Sequence, residues 1–199
     1  MFRKNLLTML VAGMGAIAIP AIAQTEAARQ DVAVQAFGSA VTTTTQNGID
    51  NKATKSGGVL ASYRFFFSTH HGVEANYGYS LDTQKYVSSS GVTGVNTNSH
   101  EISSAYVFRM PTRKITPFAL AGAGALVFDP KNYLGASTET RASFIYGAGA
   151  DINLTHHIFL RAEYRGFVYK SPTYDLAGLS GMGRVTHRAE PSIGFGYRF

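Results

Sequence analysis

Arginine and carboxylate side chains recur two residues apart in this chain, and they are the first candidates for chemistry. Arg161, Glu163 and Arg165 follow this spacing, and so do Arg188 and Glu190. Because alternate residues of a strand share a face, such side chains would meet on one side of a sheet. There they could neutralise one another in a narrow interior or line a path for ions. The predicted charge network comprises Arg64, Glu74, Glu101, Arg109, Arg141, Asp151, Arg161, Glu163, Arg165, Arg188 and Glu190.

Two pairs of adjacent histidines, His70-His71 and His156-His157, have side chains that ligate zinc or copper in other proteins. Neighbouring residues of a strand point to opposite faces, and no carboxylate accompanies either pair. Polar turn residues are therefore the favoured interpretation. The sequence predicts no metal site and no cofactor.

A hydrolytic triad needs a nucleophile, a histidine and an acid within reach of one another. The combination that the sequence offers is His187 with Glu190 and the serines Ser171 and Ser180. His187 and Glu190 have opposite parity in one β-type segment, so they would face opposite sides of a strand. We therefore predict no catalytic residues and a protein that is not an enzyme.

Composition excludes several classes of protein. The chain has no cysteine, so it forms no disulfide and no zinc–thiolate site. The formal net charge of +6 is scattered without a basic block, which argues against a nucleic-acid partner. The mean hydropathy of −0.03 excludes a bundle of transmembrane helices. It is compatible with a membrane barrel, in which only every second residue faces lipid.

Residues 1–23 have the three parts of a secretory signal peptide. Arg3 and Lys4 precede an apolar stretch that ends before Pro20, and Ala21-Ile22-Ala23 offers small residues for cleavage. We expect cleavage after Ala23, a short leader over 24–30 and one folded domain over 31–199.

From residue 31 onward, segments of about ten alternating or glycine-rich residues are separated by turns, a pattern that predicts β-strands. The connections after the second, fourth and sixth segments are short, whereas the others, including 83–97 and 170–184, are longer and polar. This alternation is typical of an up-and-down barrel in an outer membrane. The predicted fold is an all-β, eight-stranded antiparallel up-and-down transmembrane β-barrel with strands near 31–43, 56–67, 72–82, 98–110, 116–128, 140–153, 158–169 and 185–199.

Parity gives most strands one apolar and one polar face. In the last strand, Phe195, Tyr197 and Phe199 have the parity opposite to that of Glu190. Export, together with aromatic residues near strand ends, favours lipid on the apolar side and a polar lumen. Since Pro191 lacks a backbone donor, we expect a bulge there or a position that tolerates its absence. The large side chains of the fifth strand that we predict to point outward are Phe118, Leu120, Leu126 and Phe128.

The ending Gly194-Phe195-Gly196-Tyr197-Arg198-Phe199 resembles the last strand of bacterial outer-membrane barrels. The stretches ITPFALAGAGALVF, YGAGADINL and FLRAEYRGF are similar to the small outer-membrane β-barrel domain family related to outer membrane protein A. This resemblance covers about residues 31–199. It implies that Phe195, Tyr197 and Phe199 are a signal for the barrel-assembly machinery, and that the protein lies in the bacterial outer membrane among lipid and lipopolysaccharide. The peptidoglycan-binding domain of larger family members is not expected after Phe199.

These observations predict a non-enzymatic outer-membrane β-barrel with both termini in the periplasm. Its role would be structural, in the envelope, with surface contact through extracellular loops whose ligand the sequence does not name. A narrow passive porin-like channel for small solutes is the alternative, and a lipid A-modifying barrel enzyme is a further one. A soluble lipocalin-type barrel is disfavoured because the chain has no tryptophan.

Overall fold

The structure is a computed structural model that describes residues 29–42, 44–46, 49–53, 56–88, 91–131, 138–170 and 185–199. The expected signal peptide and most of the expected leader lie outside these residues. In the described part of the chain, no helix is long and apolar enough to cross a bilayer. The strands are β1 (Gln30–Val41), β2 (Thr44–Gln46), β3 (Ile49–Ala53), β4 (Ser56–Phe66), β5 (His71–Ser88), β6 (Gly91–Arg109), β7 (Ile115–Lys131), β8 (Glu139–Asn153), β9 (Ile158–Lys170) and β10 (Val185–Arg198).

Strands β1 and β4 to β10 form a closed antiparallel barrel, which confirms the predicted eight-stranded fold. Each strand pairs with the next, and β10 returns to β1, where Asp31 lies opposite Arg198. Following paired positions once around the barrel from Gln30 leads to Ala40, a stagger of ten residues. With about 3.3 Å per residue and about 4.8 Å between strands, this stagger corresponds to a strand tilt of about 40°.

The outside of the barrel is apolar and the inside is largely polar. Val34, Ile193 and Phe195 are each more than half exposed, whereas Arg165 and Glu190 are completely buried. A soluble barrel would have the reverse arrangement, because its apolar side chains would fill the interior. The predicted inversion of the two faces is therefore confirmed.

The prediction for the fifth barrel strand, β7, is wrong, because its large side chains point into the lumen. From Thr116 to Phe128 both faces of this strand are uncharged, so parity alone does not distinguish them. The neighbouring strand β8 decides the facing: a Cβ atom at Gly149 would lie 2.6 Å from the Phe118 ring, so the ring occupies space that glycine leaves open. Alanines take four of the six outward positions from Pro117 to Val127. The buried side chains are Phe118, Leu120, Leu126 and Phe128.

The end of the barrel with the longer connections contains more strand than predicted. The first connection includes the β2–β3 hairpin, and the expected loop 83–97 is mostly strand, with Ser88 opposite Gly91. Strand β3 pairs with this extension of β5. The threonine, valine and tyrosine residues of 83–97 favour extended backbone, and pairing satisfies its polar groups. Of the expected loop 170–184, all but Lys170 lies outside the described residues.

Pro191 causes no bulge. It pairs with Tyr164 of β9, while its pairing with β1 is interrupted between the Phe37–Ser192 and Ala40–Ala189 pairs. The register is the same on both sides of this gap, so neither strand carries an extra residue. The second of the two expectations is therefore met: the missing donor is tolerated at a short gap in the ladder.

Gly122 of β7 marks a close approach of neighbouring backbones. A Cβ atom there would lie 2.1 Å from the carbonyl oxygen of Ser104. We expect Gly122→Val to lower the free energy of unfolding by about 1–3 kcal/mol, because the larger side chain would overpack the barrel wall against β6. Ala121→Val, at the adjacent exposed position, is the matched control and should be nearly neutral. The stability of both variants can be measured by urea unfolding in detergent, with the gel-mobility difference between unheated and heated samples as the readout. Equal stability of the two variants would contradict the close approach of the backbones.

Candidate functional site: the charged lumen

Strand β9 places three charged side chains in the lumen. Arg161, Glu163 and Arg165 are buried, whereas the side chains between them face outward because the strand alternates. Residues two apart along a strand are about 6.6 Å apart, so each of the three reaches a different level of the barrel. We call the levels of Arg161, Glu163 and Arg165 the turn-side, middle and loop-side levels. Arg161 lies nearest the short turns, and Arg165 lies nearest the longer connections.

At the turn-side level, Arg161 is saturated with partners. Its guanidinium donates to both carboxylate oxygens of Asp151, with Nε–Oδ1 2.7 Å and Nη2–Oδ2 3.0 Å. It also donates to Asp31 Oδ1 at 3.0 Å and to Ser62 Oγ at 3.2 Å. A buried charge is tolerated only when it is paired and hydrogen-bonded, and the planar fork of arginine meets this requirement. Contacts from three barrel strands thus converge on one side chain of a fourth strand.

At the loop-side level, Arg165 is the arginine that donates hydrogen bonds to more than one buried carboxylate. It binds Glu101 through two hydrogen bonds, Nη1–Oε1 2.7 Å and Nη2–Oε2 3.1 Å, and it donates to Glu190 Oε2 at 2.9 Å. Glu190 also lies 2.6 Å from Nε of Arg188. Arg188 in turn reaches Asp82 at 3.4 Å. The result is a continuous chain of alternating charges across the lumen.

The middle level is less tightly paired. Glu163 accepts a hydrogen bond from Gln35 Nε2 at 3.2 Å, and Arg64 Nη2 lies 3.8 Å from Oε2 of the same carboxylate. Within the described residues, Glu163 Oε1 has no hydrogen-bond partner. Arg64 instead donates through Nε to Glu74. Glu163 therefore differs from the carboxylates above and below it, which accept hydrogen bonds from arginine.

Arginine–aromatic stacks lie at the turn-side end of the lumen. The Arg109 guanidinium lies 3.4 Å from the centre of the Phe66 ring, and its Nε donates to the Thr69 carbonyl at 2.9 Å. Arg198 lies 4.9 Å from the centre of the Phe159 ring. Desolvated cation–π contacts of this kind contribute about 2 kcal/mol.

The predicted network is largely brought together, with one member displaced, while two buried carboxylates and Arg198 were missed. Arg141 lies near the loop-side mouth, where it pairs with Glu139 and remains partly exposed. Asp31 and Asp82 are buried participants that the sequence analysis did not include. Asp82 lies within the predicted strand 72–82 and has the parity of Glu74, so parity alone could have identified it.

The other candidate sites do not assemble in the described residues. His187 faces outward and hydrogen-bonds Tyr146 Oη through Nε2 at 2.8 Å, while Glu190 faces the lumen. Ser171 and Ser180 lie outside the described residues. The histidine pairs occupy the turn-side rim, and no three His, Asp, Glu or Cys side chains in the described ranges come together as a metal site.

Charge in the described lumen is nearly balanced, and a cluster of buried apolar side chains packs beside the charged groups. The apolar cluster includes Phe118, Leu126 and Phe167. An eight-stranded barrel is only wide enough to hold its own side chains, so this arrangement is suited to a packed core. The lumen charges are Arg64, Arg109, Arg161, Arg165, Arg188 and Arg198 against Asp31, Glu74, Asp82, Glu101, Asp151, Glu163 and Glu190.

The uneven pairing of the carboxylates predicts uneven effects of amide substitutions. We expect Glu101→Gln to lower the free energy of unfolding by about 3–5 kcal/mol, because it removes the two-bond partner of a buried arginine. Glu163→Gln, which loses no arginine hydrogen bond, should cost about 1 kcal/mol or less. Urea unfolding of both variants in the same detergent measures the difference. Equal losses would show that Glu163 is paired as tightly as Glu101.

Comparison with known proteins places the chain among outer-membrane barrels. A 25 kDa outer-membrane immunogenic protein of Brucella canis is 31% identical over 85 residues, which are 43% of this chain and 39% of that protein. A 22 kDa outer membrane protein of Rhizobium leguminosarum bv. viciae is 33% identical over 132 residues, 65% of this chain and 58% of the relative. The matched regions thus span roughly two-fifths and somewhat over half of these relatives' lengths.

Solved structures with the same fold are more distant in sequence. The outer membrane protein OprG of Pseudomonas aeruginosa has a TM-score of 0.61 at 14% identity, covering 87% of this chain and 97% of OprG. Neisserial surface protein A has a TM-score of 0.57 at 15% identity, covering 85% of this chain and 97% of that chain. The family model for the outer membrane protein beta-barrel domain matches residues 9–199. The chain therefore belongs to the outer membrane protein beta-barrel domain family, and it is a protein of the bacterial outer membrane.

Proposed function

We propose that this protein is a non-enzymatic outer-membrane barrel with a sealed lumen, whose role is structural in the envelope and whose contacts are made by its extracellular loops. The observation that carries the proposal is the pairing of lumen charge at successive levels, above all the Arg165–Glu101–Glu190 cluster. Side chains that bind one another so closely are unavailable as a path for solutes.

A rigid interior favours a display function. The closed ladder and the paired lumen hold the strand ends in place, so loops at the rim are presented on a stable base. The Brucella relative is described as immunogenic, a property that fits exposure at a cell surface. Ail of Yersinia pestis, described as an attachment invasion locus protein, has been solved with a heparin analogue. At 18% identity, Ail shares only the fold with this chain, and its ligand is not transferred to the present loops.

The sealed lumen predicts the absence of steady conductance. In planar bilayers, the purified protein should give no long-lived current steps. Arg165→Ala should give transient steps, because it removes a large buried side chain and leaves Glu101 and Glu190 facing each other without their cation. Tyr164→Ala, on the lipid-facing side of the same strand, is the control and should behave as the parent. Steady open steps in the parent would refute the seal and support the narrow-channel alternative.

The separation of His187 from Glu190 predicts that the protein does not modify lipid. Its imidazole is bonded to Tyr146, and the nearest carboxylate in its own strand, Glu190, lies on the opposite face. Labelled lipid A incubated with the reconstituted protein should be recovered unchanged by mass spectrometry. Product that forms with the parent and disappears with His187→Ala would overturn the non-enzymatic proposal.

A further inference from the structure

The three short turns at one end of the barrel share a construction. In each turn, a side-chain hydroxyl accepts a hydrogen bond from the backbone N–H three residues later. Ser68 Oγ accepts from His71 at 3.1 Å, Thr112 Oγ1 from Ile115 at 3.3 Å, and Thr155 Oγ1 from Ile158 at 2.9 Å. These bonds keep the turns tight and prevent them from extending far from the barrel wall.

Each of these turns presents basic or imidazole side chains and no carboxylate. The segments 67–70, 110–114 and 154–157 contain no Asp or Glu. The opposite end differs, since it carries Asp129 and Glu139. The basic and imidazole side chains of the turns, all exposed, are His70, Arg113, Lys114, His156 and His157.

Large apolar side chains flank the same turns and point into the surroundings. Phe67, Met110, Ile115, Leu154 and Ile158 are each between 43% and 55% exposed. In a membrane barrel, such residues mark the edge of the hydrocarbon layer. The basic and imidazole side chains of the turns follow or precede these apolar residues by one to three positions, which places them at the level of the lipid headgroups.

We propose that the three turns form a surface that binds anionic phospholipid headgroups in the adjoining leaflet, with Arg113 and Lys114 as its principal cations. Short turns of outer-membrane barrels face the periplasm, so this leaflet is the inner one. Lysine and arginine near a membrane surface each contribute about 1 kcal/mol of attraction to anionic lipid. The turn histidines add hydrogen-bonding groups for phosphate oxygens. A surface built this way orients the barrel and resists its displacement along the membrane normal.

A lipid fits these observations better than a soluble acidic partner does. The tight turns hold the cations against the apolar rim instead of projecting them into the periplasm. A phosphate in the headgroup layer is therefore always within reach, whereas the carboxylates of a soluble partner or of the cell wall would have to approach the membrane surface. At 0.1 M salt, the attraction between exposed charges is screened over a distance of about 10 Å, so the nearest anion is favoured.

The absence of tryptophan allows a direct test. Met110→Trp places a single fluorescent reporter in the full-length protein, three residues before Arg113 in the same turn. The reporter protein is reconstituted in phosphatidylcholine bilayers that contain an equal fraction of brominated phosphatidylglycerol or brominated phosphatidylcholine, and quenching gives the relative affinity for the two lipids. We expect a preference for phosphatidylglycerol that falls about fivefold with Arg113→Gln or Lys114→Gln, the equivalent of about 1 kcal/mol per cation.

Loop-side lysines supply the matched control. Lys131→Gln and Lys170→Gln make the same charge change at exposed positions of the other end, and they should leave the preference at the reporter unchanged. Ile115→Trp provides a second reporter if Met110→Trp perturbs folding. The proposal is overturned if the parent shows no preference or if the control variants reduce it equally. It is also overturned if Arg113→Gln and Lys114→Gln abolish sedimentation with cell-wall sacculi but leave the lipid preference intact.

Discussion

A bilayer offers the backbone no hydrogen-bond partners, and the architecture of this protein follows from that constraint. Every N–H and C=O group at membrane depth must be paired within the wall, so the last strand has to return to the first. The β1–β10 pairing does this over most of the length of β1. Pro191 shows how little deviation the wall contains: the ladder has a short gap there, and the register continues unchanged.

Closure into a narrow barrel creates a second demand, because the interior must be filled while the lipid-facing side is apolar. The chain fills it with two kinds of contact. Arginine–carboxylate pairs converge on Arg161 and Arg165, and an apolar cluster centred on side chains such as Phe118 and Phe167 occupies further space. The charged pairs need well-placed hydrogen bonds to offset the loss of hydration, and the forked guanidinium supplies several from one residue.

The two ends of the barrel differ in both structure and charge. One end carries hydroxyl-capped turns with basic side chains close to an apolar rim. At the other, strands β5 and β6 continue to Ser88 and Gly91, and β3 adds to their sheet. The proposed division of labour follows this difference. The turn end would hold the protein in its leaflet, and the loop end would meet the exterior.

Much of the fold could be predicted because strand alternation is a local property. The period of two, together with the types of residue that share a face, predicts the eight strands and their inverted polarity. It also predicts the inward direction of Arg161, Glu163 and Arg165. The same reasoning fails where both faces of a strand are alike. In β7 the facing depends on the glycines of β8, which leave room for rings inside, and no pattern within β7 records this.

The sequence by itself therefore determined the class of fold, the membrane environment and the set of side chains available to the lumen. The tertiary structure decided which of them meet. Glu101 binds Arg165 although 64 residues separate them, and Asp31 binds Arg161 across 130. These partners are set by the ten-residue stagger of the closed barrel, which fixes the height of each strand relative to the others. Stagger is a property of the whole ring of strands, so no single segment of sequence contains it.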